Sequence, residues 1–247
     1  MAGSPGGSPQ FVHVIAGPTG VGKSAAATAL ARITGAPIVV ADRIQCFTDL
    51  ATTSARAGEE TADVERSWLG DRTVADGDYP AEEAADALVR KLEQLGEQHR
   101  FVIVEGGSIS LLQAFAERLP ELDCRLTVRL LHIQDREGYV VRLARRARRM
   151  LVPEGAGSSM LEELAALWAS PDHRFFAASV NGLEAILEWC ATYSVGVESL
   201  TSYELSEAQL EKIAWMVAER HAEHGFLQDR IFSKVFDGIP SAIYGAA

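Results

Sequence analysis

The stretch GPTGVGKS at residues 17–24 matches the pattern G-x-x-x-x-G-K-[ST] at every fixed position. Glycines in this pattern let backbone N–H groups turn toward phosphate oxygens, the lysine adds a positive charge, and the serine hydroxyl can ligate a magnesium ion. A helix that begins at the same place adds further positive potential. The motif therefore predicts a phosphate site, with Mg²⁺ at the serine, formed by Gly17, Thr19, Gly20, Gly22, Lys23 and Ser24.

A carboxylate follows the second short apolar run of the chain. Residues 37–41 have the sequence PIVVA, and Asp42 and Arg43 come directly after them. Ligands of open α/β sheets bind outside the carboxyl ends of the strands, so both side chains are candidates for the same site. Asp42 at that position is suited to be a base or a partner for magnesium-bound water, or it only caps the next turn. We favour a functional role for Asp42 and include Arg43 among the substrate-binding candidates.

Two glycines follow the third apolar run. The letters FVIV at 101–104 are followed by EGGS at 105–108. Gly106 and Gly107 permit a close approach of the backbone or a positive φ. The same letters are typical of a tight turn into the next helix, and the residues alone leave both interpretations open.

An arginine-rich segment lies in a helix predicted beyond residue 135. Such a run is usually a solvated face. Guanidinium groups also bind phosphate in a bidentate way, and the chain as a whole is acidic. We expect one of these arginines to reach the transferred or leaving phosphate and the others to face solvent. The five are Arg142, Arg145, Arg146, Arg148 and Arg149.

The elements that must position these residues follow from the apolar pattern. Uninterrupted apolar runs at 11–16, 37–41 and 101–104, with a fourth strand expected at 126–133, are typical of a parallel sheet covered on both faces. The Ala-rich stretch at 23–33 continues the phosphate loop as a helix. The sequence therefore predicts an α/β fold of the P-loop NTPase type, a parallel sheet covered by helices, with a C-terminal helical part.

The chain divides into three parts by composition. Residues 1–10, which are mostly Gly, Ser and Pro, predict a flexible tail. We expect the P-loop α/β core over 11–135 and a helical substrate-binding or lid region, packed on that core, over 136–247. A last long helix is expected over 206–225.

Bulk composition narrows the class of protein. With 247 residues, 47% of them hydrophobic and 23% charged, the chain is typical of globular proteins. No secretory signal is predicted, and no apolar run reaches the roughly 18 residues that a membrane helix needs. The net charge of −11 argues against a general nucleic-acid binder. Widely spaced Cys46, Cys124 and Cys190 indicate neither a disulfide frame nor a zinc site. We expect a cytoplasmic monomer that acts on small molecules, without membrane or nucleic-acid partners.

A phosphate loop by itself serves several chemistries. It occurs in kinases, in nucleotide hydrolases and in transferases that expel diphosphate. A switch-type GTPase usually carries N-K-x-D, which this sequence lacks. A motor ATPase would need further hydrolytic elements and usually a larger chain. A small-molecule enzyme remains, because the intact Lys23 and Ser24 disfavour a degenerate loop that only binds a regulatory ligand.

Five stretches together resemble one enzyme family. HVIAGPTGVGKS, PIVVADRIQCF, VIVEGGSISLL, ARRARRML and LEELAALW are similar, in order and spacing, to the bacterial adenylate dimethylallyltransferases, the isopentenyltransferases that begin cytokinin biosynthesis. The resemblance runs from about residue 11 to residue 190. GPTGVGKS alone is shared with many P-loop enzymes, including tRNA dimethylallyltransferases, whereas the combination of stretches is much more specific.

The resemblance implies an activity and a role for each matched residue. A dimethylallyl group would pass from dimethylallyl diphosphate, or its hydroxylated analogue, to the N6 amine of AMP. Thr19 and Lys23 would bind the diphosphate, and Ser24 would serve the magnesium ion. Arg146 would clamp the diphosphate, and Asp42 would be the general base that hydrogen-bonds the adenine amine.

The acceptor side departs from the family pattern. The resemblance places Ser54 at a nucleotide contact, and it puts Asn181 beside Gly182, where the family has an acidic residue. An amide carries no charge, so this contact is altered or replaced. The family's tyrosine and histidine near the prenyl donor have no unambiguous counterparts in this sequence, and a one-residue shift decides whether Arg220 or His221 comes to that place. The acceptor stays open between AMP, tRNA and another small molecule, and a P-loop kinase is the further alternative.

Overall fold

The structure is a computed structural model of the chain and describes residues 10–56, 63–153 and 157–241. The flexible tail expected over 1–10 lies outside the described residues, except for Gln10, which begins the first strand. Within these ranges, none of the helices is long and apolar enough to cross a membrane.

A parallel sheet of five strands forms the centre of the described part of the chain. The strands are β1 (Gln10–Ala16), β2 (Ile38–Ala41), β3 (Arg66–Trp68), β4 (Phe101–Gly106) and β5 (Cys124–Leu130). Their order across the sheet is β3-β2-β4-β1-β5. The carboxyl ends of all the strands therefore lie at one edge, with β4 between β1 and β2.

Two strands differ from the sequence prediction. β5 covers Cys124–Leu130 rather than 126–133, because its pairing with β1 ends where that strand ends, at Ala16. β3 was not predicted at all. Within the described residues it is a half-buried edge strand that pairs only with β2, so its residues need not form an apolar run.

The apolar residues of the inner strands pack against helices on both faces of the sheet. Val102 and Val104 of β4 belong to the main hydrophobic core, whereas Ile103 between them packs with Ile15 and Ile38 on the other face. Successive residues of a strand point to opposite faces, so a run that is apolar at every position needs cover on both. The cover comes from α1 (Lys23–Thr34) on one face and from α2 (Ala81–Gly96) and α3 (Ile109–Arg118) on the other.

Helices make up the chain beyond β5. They are α4 (Arg136–Leu151), α5 (Met160–Trp168), α6 (Arg174–Ser179), α7 (Leu183–Tyr193) and α8 (Glu207–Val235). The Asp135 carboxylate caps α4 by accepting hydrogen bonds from two backbone amides of its first turn. α4 and α8 pack along each other through a small apolar cluster that includes Tyr139, Leu143, Ala218 and Ala222. The division between residues 135 and 136 into a core and a helical region stays a prediction.

α8 extends to Val235, well beyond the end predicted at residue 225. Ser206 and Gln209 form a capping box at its start. Gly225 lies inside the helix. It packs against the Tyr139 ring of α4, where a Cβ would come 2.1 Å from the hydroxyl oxygen. The glycine allows two helices to approach closely, so the prediction of a helix end at this residue was wrong.

Candidate active site

The phosphate loop joins β1 to α1 at the carboxyl edge of the sheet. Gly22 caps α1 with φ 97°, in the left-handed region that favours glycine. Gly17 has φ 154°, and a Cβ there would lie 2.4 Å from the carbonyl oxygen of Leu131. These glycines let the chain turn sharply from strand to helix. The turn presents the first amides of α1, which have no partner inside the helix, at the sheet edge.

Lys23 is the first residue of α1, and its ammonium group donates a hydrogen bond to the carbonyl oxygen of Pro18 at 2.7 Å. Burial lowers the pKa of Lys23 to about 8, and the Arg146 guanidinium acts in the same direction. The Asp42 carboxylate opposes both effects. The lysine is therefore mostly charged at pH 7, but it loses its proton far more easily than an ordinary surface lysine.

Asp42 follows β2 directly. Its carboxylate accepts a hydrogen bond from the amide of Ile44 at 3.1 Å. Asp42 therefore does cap the turn that follows it. Burial raises the pKa of Asp42, while Lys23 and the neighbouring amides oppose the rise. A carboxylate of raised basicity beside a cation is suited to accept a proton from a reacting group. The cap and the base are compatible roles for one side chain.

A cavity of about 770 Å³ opens at the phosphate loop. One side of α4 lines it with Arg142, Arg145, Arg146 and Arg149, whose spacing of three or four residues puts them on one helix face. Arg142, Arg145 and Arg149 are exposed, as expected of a solvated face, yet they also line the cavity. Arg148 instead pairs with a glutamate of α8 at 2.5 Å. The cavity is strongly cationic and suits a diphosphate.

A second cavity, of about 370 Å³, adjoins the first. The two share a wall made by Thr19, Lys23, Asp42, Ser54, Gly107 and Arg146. Beyond this wall the second cavity has a mixed lining, with Ser108, Asn181, His221 and His224 among its polar residues and Ile109 and Val180 among its apolar ones. Two different ligands can therefore meet beside Asp42.

Arg146 reaches the shared wall from α4. Burial lowers its pKa, whereas the Asp42 carboxylate opposes that change. The structure thus brings together Asp42, Lys23 and Arg146, which lie far apart in the sequence. Two partly buried cations and one carboxylate are an arrangement that can stabilise an anion on one side and take a proton on the other.

The EGGS segment brings the chain close to its neighbours. A Cβ on Gly106 would lie 2.4 Å from the carbonyl oxygen of Ala41, and one on Gly107 would lie 3.2 Å from Nζ of Lys23. Neither glycine adopts a positive φ. Of the interpretations that the sequence left open, close approach of the backbone is the one that the geometry supports.

Glu105 is held in a buried ion pair. Its carboxylate accepts a hydrogen bond from the guanidinium of Arg66 in β3, which also donates to the Thr28 hydroxyl at 3.1 Å. Both members of the pair line the larger cavity. A buried carboxylate that is already paired with arginine is part of the cavity wall rather than a free base. Arg66 is not recognisable from the sequence, because the short strand that carries it has no apolar pattern.

Ser54 lines both cavities with a buried hydroxyl that has no hydrogen-bond partner within the described residues. Its loop is held by Glu163 of α5. That carboxylate accepts from the amides of Thr52 and Thr53 at 2.7 and 2.8 Å, and from the Thr53 hydroxyl at 2.6 Å. A buried hydroxyl without a protein partner is a candidate ligand contact. Glu163 lies in the LEELAALW stretch, but nothing near it in the sequence marks it as the anchor of a loop.

Arg43 and Asn181 line the second cavity rather than the larger one. The Arg43 guanidinium donates to the carbonyl oxygen of Tyr79 at 2.5 Å and lies 3.8 Å from the Asp78 carboxylate. Part of its hydrogen-bonding capacity is therefore used within the protein. The backbone carbonyl of Asn181 accepts a hydrogen bond from Nε2 of His221 at 3.1 Å.

Two histidines of α8 line the second cavity. His221 is one of the two residues left open by the one-residue shift, whereas the sequence indicated no role for His224. Burial lowers the pKa of His221 to about 4 and also lowers that of His224. Both imidazoles are therefore mostly neutral at pH 7. Arg220, the other residue left open by the one-residue shift, instead pairs with Glu188 and Glu223.

Oxygen donors suited to magnesium line the larger cavity. They include the Ser24 hydroxyl and the Asp42 carboxylate, whereas the Glu105 carboxylate is already paired with Arg66. The described residues contain no cluster of three or more Asp, Glu, His or Cys side chains that could hold a metal on its own. Magnesium usually takes one or two protein oxygens and completes its shell with substrate phosphates and water. The residues present fit an ion that arrives with a diphosphate.

A model of the isopentenyl transferase family matches residues 10–240. The chain belongs to that family. An adenylate dimethylallyltransferase of Rhodococcoides fascians is 42% identical over 226 residues, which make up 91% of this chain and 89% of that protein. An adenylate dimethylallyltransferase of Ralstonia solanacearum is 32% identical over 240 residues, or 94% and 96% of the two chains. The family resemblance inferred from the five stretches is confirmed.

Solved structures share the fold at low sequence identity. A tRNA isopentenylpyrophosphate transferase of Bacillus halodurans superposes with a TM-score of 0.70 at 13% identity, over 95% of this chain and 89% of that one. The corresponding protein of Staphylococcus epidermidis has a TM-score of 0.64 at 13% identity, over 90% of each chain. The expected fold, a P-loop type of parallel sheet with a helical C-terminal part, is confirmed.

Proposed function

We propose that the protein transfers a dimethylallyl group from dimethylallyl diphosphate to the N6 amine of AMP and releases diphosphate. The observation that carries this proposal is the meeting of a cationic phosphate cavity and a second cavity of mixed lining at Asp42, beside Lys23. Membership of the family, and similarity to two adenylate dimethylallyltransferases over most of their length, support the same activity. The protein is then a prenyltransferase that begins cytokinin biosynthesis.

The cationic cavity stabilises the leaving group. Cleavage of the allylic C–O bond builds positive charge on carbon and negative charge on the diphosphate oxygens. Lys23 and Arg146 lie where that negative charge develops, and partly buried cations act on it more strongly than solvated ones. The hydroxyl of Thr19 and the loop amides complete the set of donors. The loop residues proposed to bind diphosphate are Gly17, Thr19, Gly20, Gly22 and Ser24.

We also propose Mg²⁺ as the cofactor, held by the Ser24 hydroxyl together with phosphate oxygens of the donor. When bound, a magnesium ion neutralises part of the diphosphate charge. The Ser24 hydroxyl and the Asp42 carboxylate, which both line the larger cavity, support this assignment.

Asp42 takes the proton that the reaction releases. When the N6 nitrogen forms its bond to the allylic carbon, one N–H proton must leave, and the carboxylate at the shared wall accepts it. Burial raises the pKa of this carboxyl group, whereas the neighbouring Lys23 opposes the rise and so favours the ionised form. Much of the remaining acceleration comes from holding the two substrates side by side.

The acceptor contacts are proposed on the second cavity. The candidates are the side chains of Arg43 and Asn181 and the Ser54 hydroxyl, which has no hydrogen-bond partner among the described residues. In this division of roles, the core over 11–135 supplies the phosphate loop and the base, and the region over 136–247 supplies Arg146 and Asn181. We further propose that the enzyme works as a cytoplasmic monomer on small-molecule substrates.

Mass spectrometry of reaction products tests the proposal. The protein is incubated with dimethylallyl diphosphate, MgCl₂ and, in turn, AMP, ADP and ATP. We expect N6-(dimethylallyl)adenosine monophosphate and an equal amount of diphosphate from the AMP reaction. A folded protein that forms no prenylated nucleotide contradicts the proposal, and ATP turnover without binding of prenyl diphosphate would favour the kinase alternative.

Replacement of Asp42 tests the assignment of the base. Asp42→Asn keeps the size of the side chain and removes its ability to take a proton, so we expect kcat to fall by about 10²- to 10⁴-fold. Inorganic diphosphate should still bind to this variant. Asp123→Asn, at an exposed position before β5, is the matched control and should keep full turnover. If Asp42→Asn retains normal kcat, another group must accept the proton.

A further inference from the structure

A glutamine near the end of the chain contacts the phosphate loop near its beginning. Gln228 of α8 is only 4% exposed. Its Oε1 accepts a hydrogen bond from the Thr19 amide at 2.8 Å, and its Nε2 donates to the carbonyl oxygen of Gly107 at 2.5 Å. One amide group therefore joins the loop after β1 to the turn after β4.

Thr19 is held from a second side by α4. The fully buried Tyr139 donates its hydroxyl hydrogen to the carbonyl oxygen of Thr19 at 2.7 Å. Gly225 leaves the space that this ring occupies. Both backbone polar groups of Thr19 are thus bound by side chains of α4 and α8. The orientation of this part of the phosphate loop depends on the helices packed over it.

The other end of the Gln228 amide lies close to Lys23. A Cβ on Gly107 would be 3.2 Å from Nε2 of Gln228 and 3.2 Å from Nζ of Lys23. The glutamine also lines the second cavity, together with His224 from the preceding turn of α8. A displacement of this amide would shift Thr19 and Gly107, the two backbone segments that it joins beside the lysine.

We propose that Gln228 is a positioning residue for the diphosphate of the prenyl donor. It holds the Thr19 peptide and the Gly107 turn in place, so that the phosphate loop is already shaped when diphosphate arrives. Among uncharged side chains of this length, a carboxamide is the one that accepts and donates at the same time. A preshaped site loses less conformational entropy on binding. That the bound diphosphate belongs to a prenyl donor rests on the proposed function, whereas the binding of diphosphate at this loop does not.

Two substitutions at Gln228 separate its hydrogen bonds. Gln228→Met keeps the length and removes both bonds. We expect its Kd for inorganic diphosphate, titrated calorimetrically with MgCl₂, to rise about 10-fold, the size of effect that two neutral hydrogen bonds give. The KM for prenyl diphosphate should rise by a similar factor, while the KM for AMP stays unchanged.

Gln228→Glu gives a pH signature that a purely structural role would not produce. Its ionised carboxylate can accept from Thr19 but opposes the carbonyl of Gly107, whereas the protonated form can donate there again. The loss of diphosphate affinity, taken relative to the unsubstituted protein at each pH, should therefore be smaller at low pH than at high pH. This variant also provides the test if Gln228→Met does not fold.

Controls distinguish positioning from stability and from the proposed function. Gln113→Met, at an exposed position on α3, should leave the Kd for diphosphate unchanged. If the Gln228 variants melt at lower temperature but bind diphosphate normally, the inference is wrong. Weakened diphosphate binding without any prenylated product would support Gln228 and remove the proposed function. If the unsubstituted protein forms prenylated AMP and the Gln228 variants bind diphosphate with unchanged affinity, the proposed function stands and the inference about Gln228 is wrong.

Discussion

Three ionisable side chains at the shared cavity wall change one another's affinity for protons. Asp42 stabilises the charged forms of Lys23 and Arg146, whereas Arg146 disfavours the charged form of Lys23. Burial disfavours the charged form of all three. The outcome is a lysine with a pKa of about 8 and an aspartate more basic than usual. Perturbed groups that face one another across a cavity are typical of functional sites.

The lowered pKa of Lys23 predicts a pH-dependent affinity for diphosphate. The charged form attracts the anion, predominates below the pKa of about 8 and disappears as the pH rises through that value. Because kcat/KM reports ionisations of the free enzyme, we expect kcat/KM for the prenyl diphosphate to fall above about pH 8. In Asp42→Asn the carboxylate that supports the ammonium charge is gone. The corresponding loss of affinity for inorganic diphosphate should then move to lower pH.

Lys23→Arg is the control for this pH dependence. A guanidinium stays charged throughout the neutral and mildly alkaline range, so any diphosphate binding that the variant retains should not weaken near pH 8. An unsubstituted protein whose diphosphate affinity is constant through about pH 8 would show that Lys23 is not the titrating cation.

At the scale of elements, the loop that carries Ser54 depends on α5, which lies about a hundred residues further along the chain. Burial raises the pKa of Glu163, and the hydrogen bonds from Thr52 and Thr53 offset part of that cost. The same loop holds Ala55 at φ 54°, a conformation that residues other than glycine seldom adopt. The anchoring by α5 therefore keeps an unusual backbone in place at Ala55, beside the larger cavity, and next to Ser54, which lines both cavities.

Glu163→Gln tests this anchor. The substitution keeps the shape but turns one acceptor oxygen into an NH₂ group that faces other donors, so we expect a loss of about 1–3 kcal/mol in the free energy of unfolding. The KM for AMP should rise because Ser54 shifts, whereas the Kd for inorganic diphosphate should not change. Denaturant unfolding, steady-state kinetics and calorimetry measure these quantities. Glu93→Gln, exposed on α2, is the matched control. If Glu163→Gln weakens diphosphate binding as much as it raises the KM for AMP, the Ser54 loop does not act on the acceptor alone.

At the scale of the whole molecule, the distribution of charge bears on the choice of acceptor. The tRNA isopentenylpyrophosphate transferases have the same fold at 13% identity, so the fold alone does not select the acceptor. The net charge of this chain is −11, although several arginines line one cavity. Binding a nucleic acid depends on many cations that contact successive phosphates. An acidic molecule with a local cationic cavity is better suited to a small phosphorylated substrate.

We therefore expect tRNA to be neither a substrate nor a competitor. At about 150 mM salt, excess unmodified tRNA should not slow the prenylation of AMP, because the acidic surface offers little counterion release. Radiolabelled prenyl diphosphate measures incorporation into tRNA, and filter binding measures its affinity. Labelled tRNA, or binding at micromolar concentration, would contradict this prediction. Denatured protein gives the background incorporation, and the AMP reaction without tRNA gives the uninhibited rate.

The sequence by itself determined the local parts of the site. The phosphate loop is recognisable because the backbone turns of glycine and the charge of Lys23 are properties of a few adjacent residues. Asp42 was found because it directly follows an apolar run, and runs that are apolar at every position predicted the covered parallel sheet. The concentration of arginines indicated the helix that lines the larger cavity, whereas the family resemblance singled out Arg146 among the five. Each of these features depends on neighbours in the chain.

Only the tertiary structure decided which distant side chains complete the site. Arg66, Glu163 and Gln228 act through partners remote in the sequence, and their own surroundings contain no signal of that pairing. Gly225 has the local appearance of a helix end, but it is a contact point for Tyr139. The physical reason is that periodicity and propensity report on adjacent residues, whereas a buried hydrogen bond forms only when the packed fold brings donor and acceptor together.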